Sequence, residues 1–145
     1  MSKKYQRDYY VKNRVKLCEK HVEVYMPNTI KRIALIIPEE ITKLYNEYPY
    51  EVYGDPYLHK ILKIYGIRQS EEAFAECYEV AMIGYIYSIH RCAYMGYTHT
   101  DNYIKFMIRC CIKMGIVLAN KERYAMQSEN YKMVYLDDEI NRNRF

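Results

Sequence analysis

Val80-Ala-Met-Ile-Gly-Tyr-Ile-Tyr-Ser-Ile89 runs for ten residues without a formal charge. Beyond Gly96–Thr100, a second apolar run extends from Tyr103 to Ala119, and its only charges are Lys105, Arg109 and Lys113. Two such helices are too apolar to stand in water alone, so the rest of the chain must cover them. Gly84 and Gly115 fall inside these runs, where a missing side chain lets two helices approach closely.

Working outward from this pair, the segment before it reads as one long helix. Ser70 suits an N-cap, Glu71 and Glu72 suit the first turn, and the helix continues to about Met95. Glu72, Glu76 and Glu79 mark its outer face early on, before the sequence becomes apolar almost all round. Asp101 is the expected cap of the last helix, which ends near Lys121. Further upstream, Asp55-Pro56 opens a helix whose buried face is Leu58, Ile61, Leu62 and Tyr65, and Gly66 closes it. Pro38 opens another helix, with Ile41, Leu44, Tyr45 and Tyr48 inward.

At the N-terminus, Val11, Val15, Cys18, Val22 and Tyr25 share one helical face over residues 5–25, and Pro27 is expected to end that helix. Lys12, Lys16 and Lys20 lie four apart on another face. Residues 28–37 fit either a helix capped by Asn28 or Thr29, with Ile30, Ile33, Ala34 and Ile37 inward, or a strand; helix is preferred. Residues 131–136 alternate weakly, as in an extended strap, and 137–145 form a charged tail. The expectation is an all-α, single-domain bundle of five or six helices around two central ones, at about 70–95 and 101–121.

Composition narrows the chemistry. A chain of 145 residues, half of them hydrophobic, can bury a core of its own. No run reaches the roughly 18–20 apolar residues that span a bilayer, and no apolar segment follows the basic N-terminus, so a cytoplasmic location is expected. Five cysteines, an odd number with two adjacent, fit small buried hydrophobes better than a disulfide framework. The net charge is +4, yet the first 20 residues carry seven Lys/Arg against two acids. A locally basic surface describes this better than a basic protein. Tyrosine stands out: 19 Tyr against three Phe and no Trp. Four of them, Tyr48, Tyr50, Tyr53 and Tyr57, interleave with Pro49, Gly54 and Pro56 in one loop, 48–57.

No P-loop, dinucleotide fingerprint, HExxH or CxxC is present. His90, Cys92, Cys110 and Cys111 are the only residues grouped as metal ligands would be. Positions two apart on a helix point about 200° away from each other, which is wrong for a shared ion. No metal, cofactor or catalytic residue is assigned. His99 beside Asp101 reads as a turn residue beside a cap.

Two short resemblances bear on function. Lys31-Arg32-Ile33-Ala34-Leu35-Ile36-Ile37-Pro38-Glu39-Glu40-Ile41 resembles the strand and first turn of ribbon-helix-helix DNA-binding proteins. That would make Arg32, Ala34 and Ile36 the base-reading face. Arg14 and His21 resemble the spaced Arg–His motif of all-helical HEPN ribonucleases, with Val15 in place of the usual polar residue. The first implies a DNA-binding transcriptional regulator; the second implies an enzyme.

The non-structural signal with most weight is Lys105, Arg109 and Lys113, at i, i+4 and i+8 on an otherwise apolar helix. With the Tyr48–Tyr57 loop it suggests a non-enzymatic binding protein, an adaptor or inhibitor for a protein or nucleoprotein partner. Lys12, Lys16 and Lys20 would be a secondary basic face. Small motif-free chains of this character are associated with phages and mobile elements. Direct DNA or RNA binding is the alternative, since single-stranded nucleic acid is held by the same residue types. A homodimer is also open, and no membrane partner is expected.

Overall fold

The computed structural model describes residues 13–123, and every regular element among them is helical. α1 covers residues 13–20 and continues through a π-helical turn, His21–Tyr25, into α2, Met26–Ile36. α3 (Pro38–Glu47), the single turn α4 (Tyr50–Tyr53), α5 (Asp55–Ile64), α6 (Glu72–Met95) and α7 (Thr100–Ala119) follow. The two apolar runs are α6 and α7, as their composition demands.

α6 and α7 turn back on one another at Gly96, which takes the left-handed conformation at φ 67° and ends α6. They lie antiparallel, and the glycines are the reason they lie so close. A Cβ on Gly115 would stand 2.7 Å from the Cα of Cys77. One on Gly84 would stand 2.6 Å from the Cys111 sulfur and 3.1 Å from the Met107 carbonyl. The first clash is with backbone, so only separating the helices would relieve it. Cys77, Ala81, Ile104, Ile108, Cys111 and Ile112 fill the seam and are fully buried.

The remaining helices cover this pair. α2 runs alongside α6, with Tyr25 near Tyr87 and Arg32 over the Tyr94 ring. α3 returns in the opposite sense, with Tyr45 beside His90 and Tyr48 beside Tyr85. Ile33, Ile41, Leu58 and Leu62 bring α2, α3 and α5 into one core with α6 and α7. Met26 anchors a smaller cluster with Val80, Tyr87 and Cys111.

Several local expectations are corrected. Pro27 does not end the first helix. The Met26 N–H reaches back five residues to the His21 carbonyl, giving one wide π turn. That widening spreads the carbonyls just ahead of the proline ring, so the helix passes through it. Asn28 and Thr29 therefore lie inside the helix and cap nothing, and Thr29 is buried. Residues 31–36 are helical, so the ribbon-helix-helix strand is absent, and Arg32 packs on Tyr94 rather than facing out from a strand. The break comes at Ile37, which leaves the helical region at φ −138°, ψ 58° because Pro38 follows it. The loop 48–57 contains the turn α4, and Asp55 is already helical. α6 starts two residues after Ser70, with Glu71 at the cap position. α7 starts at Thr100 after His99, so Asp101 sits in its first turn and makes no cap bond. Lys12, residues 5–12, the strap at 131–136 and the tail at 137–145 lie outside the described residues.

Candidate functional site

The four tyrosines of the 48–57 loop are half-buried and packed against the main core. α4 tips Tyr50 inward, where its ring meets Tyr85 edge-on at 5.3 Å. Tyr48 and Tyr53 meet in the same way at 5.0 Å. Hydrogen bonds tie the loop to α6 at Tyr48 and Tyr50. Tyr85, buried on α6, donates to the Tyr48 carbonyl at 2.6 Å. Tyr50 and Tyr78 share a hydrogen bond, and both hydroxyls lie within reach of Asp55 Oδ1, at 3.3 and 3.0 Å. With one proton each, Tyr50 donating to Tyr78 and Tyr78 donating to Asp55 uses the two shorter contacts. Burial, with a smaller contribution from Glu51, pushes the Tyr85 phenol up to about 12. It thus stays a donor at neutral pH.

His90 and the cysteines also turn to packing. His90 Nδ1 lies 2.8 Å from the Ile86 carbonyl and 3.4 Å from the Tyr45 hydroxyl. The short contact to a carbonyl places the ring proton on Nδ1. Burial lowers the His90 pKa, and the bond to Ile86 opposes it. Cys77, Cys92 and Cys111 are buried free thiols raised to about 11, about 11 and about 12, in each case chiefly by burial. Protonated at neutral pH and enclosed, they lack the exposed thiolate that reactive cysteines present. Among the described residues no three His, Cys, Asp or Glu side chains are grouped as a metal site. Cys18 and Cys110 are only half-buried.

The basic stripe on α7 divides into two parts. Lys105 pairs with Asp101 at 3.3 Å and lies 5.7 Å above the Tyr57 ring. One turn of helix thus neutralises it. Arg109 and Lys113 are exposed and make no ion pair among the described residues. Of the N-terminal set, Lys16 and Lys20 are exposed. His21 is exposed in the π turn, its ring 5.4 Å from that of Tyr25.

A feature not anticipated from the sequence stands beside Arg109. The corner between α6 and α7 holds an open groove of about 450 Å³, lined by Tyr97, Thr98, His99, Asn102, Tyr103 and Phe106. Tyr97 and Tyr103 are 5.1 Å apart, Tyr103 and Phe106 6.5 Å. Burial raises the Tyr103 pKa, while the Arg91 guanidinium beside it acts the other way. Phe106 is 51% exposed, an unusual state for a phenylalanine in a well-packed helix. Asn102, Phe106, Arg109 and Lys113 are spaced four, three and four residues apart, so they share one face of α7. The groove and the two free cations are therefore one surface. The signal was in the sequence as Phe106 one turn ahead of Arg109, but only the corner brings Tyr97 across to it.

No protein-family model, curated protein or solved structure matches this chain. Among the described residues no helix is long and apolar enough to cross a membrane.

Proposed function

We propose that this chain is a non-enzymatic binding protein that docks a partner protein through the α6–α7 corner and the outer face of α7. The occupant is an acidic segment carrying an apolar anchor. The anchor enters the groove at Tyr97, Tyr103 and Phe106, and the acids meet Arg109 and Lys113. One observation carries this reading: an exposed phenylalanine in an aromatic groove, continuous with two cations that have no acidic partner among the described residues. Interface cores favour aromatic residues and Arg, and unpaired positive charge selects acidic partners. The partner's activity would be blocked or redirected by occupancy alone, as in an inhibitor or adaptor.

The test is capture from the native host on immobilised protein, with and without nuclease. Wild type is compared with Phe106→Ala and Arg109→Glu. A specific protein that survives nuclease and is lost from both variants supports the reading. Capture that vanishes with nuclease, and direct binding to DNA or RNA that falls steeply with salt, favours nucleic acid instead. Capture unchanged in both variants rejects this surface.

A further inference from the structure

A second cleft, sharing no residue with the corner groove, lies between α5, the turn that follows it and the start of α6. It has a volume of about 550 Å³, within the range of small-molecule sites. Its floor is apolar: Leu62 is buried, and Ile67 and Phe74 pack against the same core. Its rim is cationic: Lys63 and Arg68 line it, both exposed and neither in an ion pair among the described residues.

His59 completes the lining, one turn before Lys63 on the same face of α5. Asp55 fixes it, holding Nε2 at 3.2 Å. The oxygen concerned, Oδ1, also lies within reach of Tyr78 and Tyr50. The carboxylate is thus engaged by the hydroxyl pair behind the ring. The His59 ring is wedged 5.7 Å from both Phe74 and Tyr78.

The walls are held before any ligand arrives. At the end of α5, Ile67 N–H bonds to the Leu62 carbonyl at 2.9 Å and Gly66 N–H to the Lys63 carbonyl at 3.0 Å. This paired closure needs the left-handed Gly66, at φ 72°, and it sets the turn carrying Arg68. Glu71 N–H bonds back to the Arg68 carbonyl at 3.0 Å, tying the turn to α6.

We propose that this cleft binds a small aromatic phosphomonoester. The phosphate sits between Lys63 and Arg68, with His59 as the wall beside them, and the aromatic body lies on Phe74, Leu62 and Ile67. Lysine and arginine together supply charge-assisted donors for the terminal oxygens of a phosphomonoester. The apolar floor has nothing to offer a free inorganic ion, so both parts of the ligand are needed to use the site.

The experiment is an NMR titration of the full chain with phenyl phosphate, run beside inorganic phosphate and phenol. Saturable shifts at Leu62, Ile67 and Phe74 are expected with phenyl phosphate. Its affinity should exceed that of inorganic phosphate by about tenfold, through burial of the ring. The double variant Lys63→Gln/Arg68→Gln, with both changes on exposed side chains, should lower that affinity by about tenfold or more. Lys31→Gln, on the exposed side of α2, should leave it unchanged. The proposal is overturned by the absence of saturable shifts, by a double variant that binds like wild type, or by equal affinity for inorganic phosphate. It is also overturned if a phosphorylated oligonucleotide binds this cleft more tightly with each added phosphate, since the site would then read a polymer backbone.

Discussion

Residues 48–57 and residues 97–106 are both aromatic-rich turns that abut α6, yet one is closed and the other open. In the first, each ring has another ring or the core against it. The Tyr50 hydroxyl joins Tyr78 and Asp55, and the Tyr48 carbonyl accepts from Tyr85. In the second, Tyr103 lies between Tyr97 and Phe106 in ring contact with each, and the three line an open groove. Composition alone does not separate the two. What separates them is whether a neighbouring element supplies acceptors and apolar surface. α5 and α6 do so for the first segment through Asp55, Tyr78 and Tyr85. Among the described residues, the corner offers Tyr103 the Arg91 guanidinium, a donor rather than an acceptor. A tyrosine-rich loop can therefore be a structural brace, and the binding surface can lie where fewer tyrosines stand.

The largest expected effect comes from exchanging a deletion between the two regions. Tyr85 is 3% exposed and joins the rings of Tyr45 and Tyr50 to the Tyr48 backbone. Tyr85→Ala should destabilise the protein by about 3–5 kcal/mol, read from the midpoint of urea unfolding. Phe106→Ala removes a ring of similar size and should change stability by under about 0.5 kcal/mol, while abolishing partner capture. Equal destabilisation by both would erase the distinction between brace and groove.

Next in size are the hydroxyls. Tyr50→Phe and Tyr78→Phe each remove one hydroxyl from the network that ends on Asp55, which is itself partly solvated. Each should cost about 0.5–1.5 kcal/mol. The double variant should cost less than the sum, since the two hydroxyls also bond to one another. Strict additivity in that cycle would mean the two hydroxyls act independently and the network does not hold the loop.

A further effect depends on pH. Burial holds the His90 pKa below its usual value in the folded protein. The unfolded chain takes up that proton at about pH 6.5, before the folded one does. Unfolding then binds a proton, so stability falls as pH drops through 6.5 and levels off once folded His90 also titrates. His90→Gln should flatten this part of the curve of unfolding midpoint against pH. A variant that keeps the wild-type slope would place its origin in another group.

The central pair was legible in the sequence, because uncharged runs of that length on a helix have to be covered. So was the role of Gly84 and Gly115, since a glycine inside an apolar helix signals close approach. The π turn at His21–Tyr25 was not, because Pro27 is ordinarily a stop and its accommodation depends on one wide turn upstream. The direction of the tyrosine rings was not either. Tyr48 and Tyr85 are 37 positions apart, and no local pattern states that the hydroxyl of one will reach the carbonyl of the other. At the corner, Tyr97 meets Tyr103 only because Gly96 reverses the chain.

The smallest expected effect tests where the boundary between the two regions falls on α7 itself. Lys105, Arg109 and Lys113 form one sequence stripe, but Lys105 is shared between Asp101 and the ring of Tyr57. It belongs to the closed side. The pair is about 40% exposed on each partner, so its worth is small, on the order of 0–0.5 kcal/mol. Lys105→Gln should shift stability by no more than that and leave partner affinity unchanged. Arg109→Gln should leave stability unchanged and weaken the partner complex, more so at low salt, where its charge is least screened. If Lys105→Gln weakens the complex as much as Arg109→Gln does, the partner reaches over Tyr57, and the docking surface includes the outer edge of the brace.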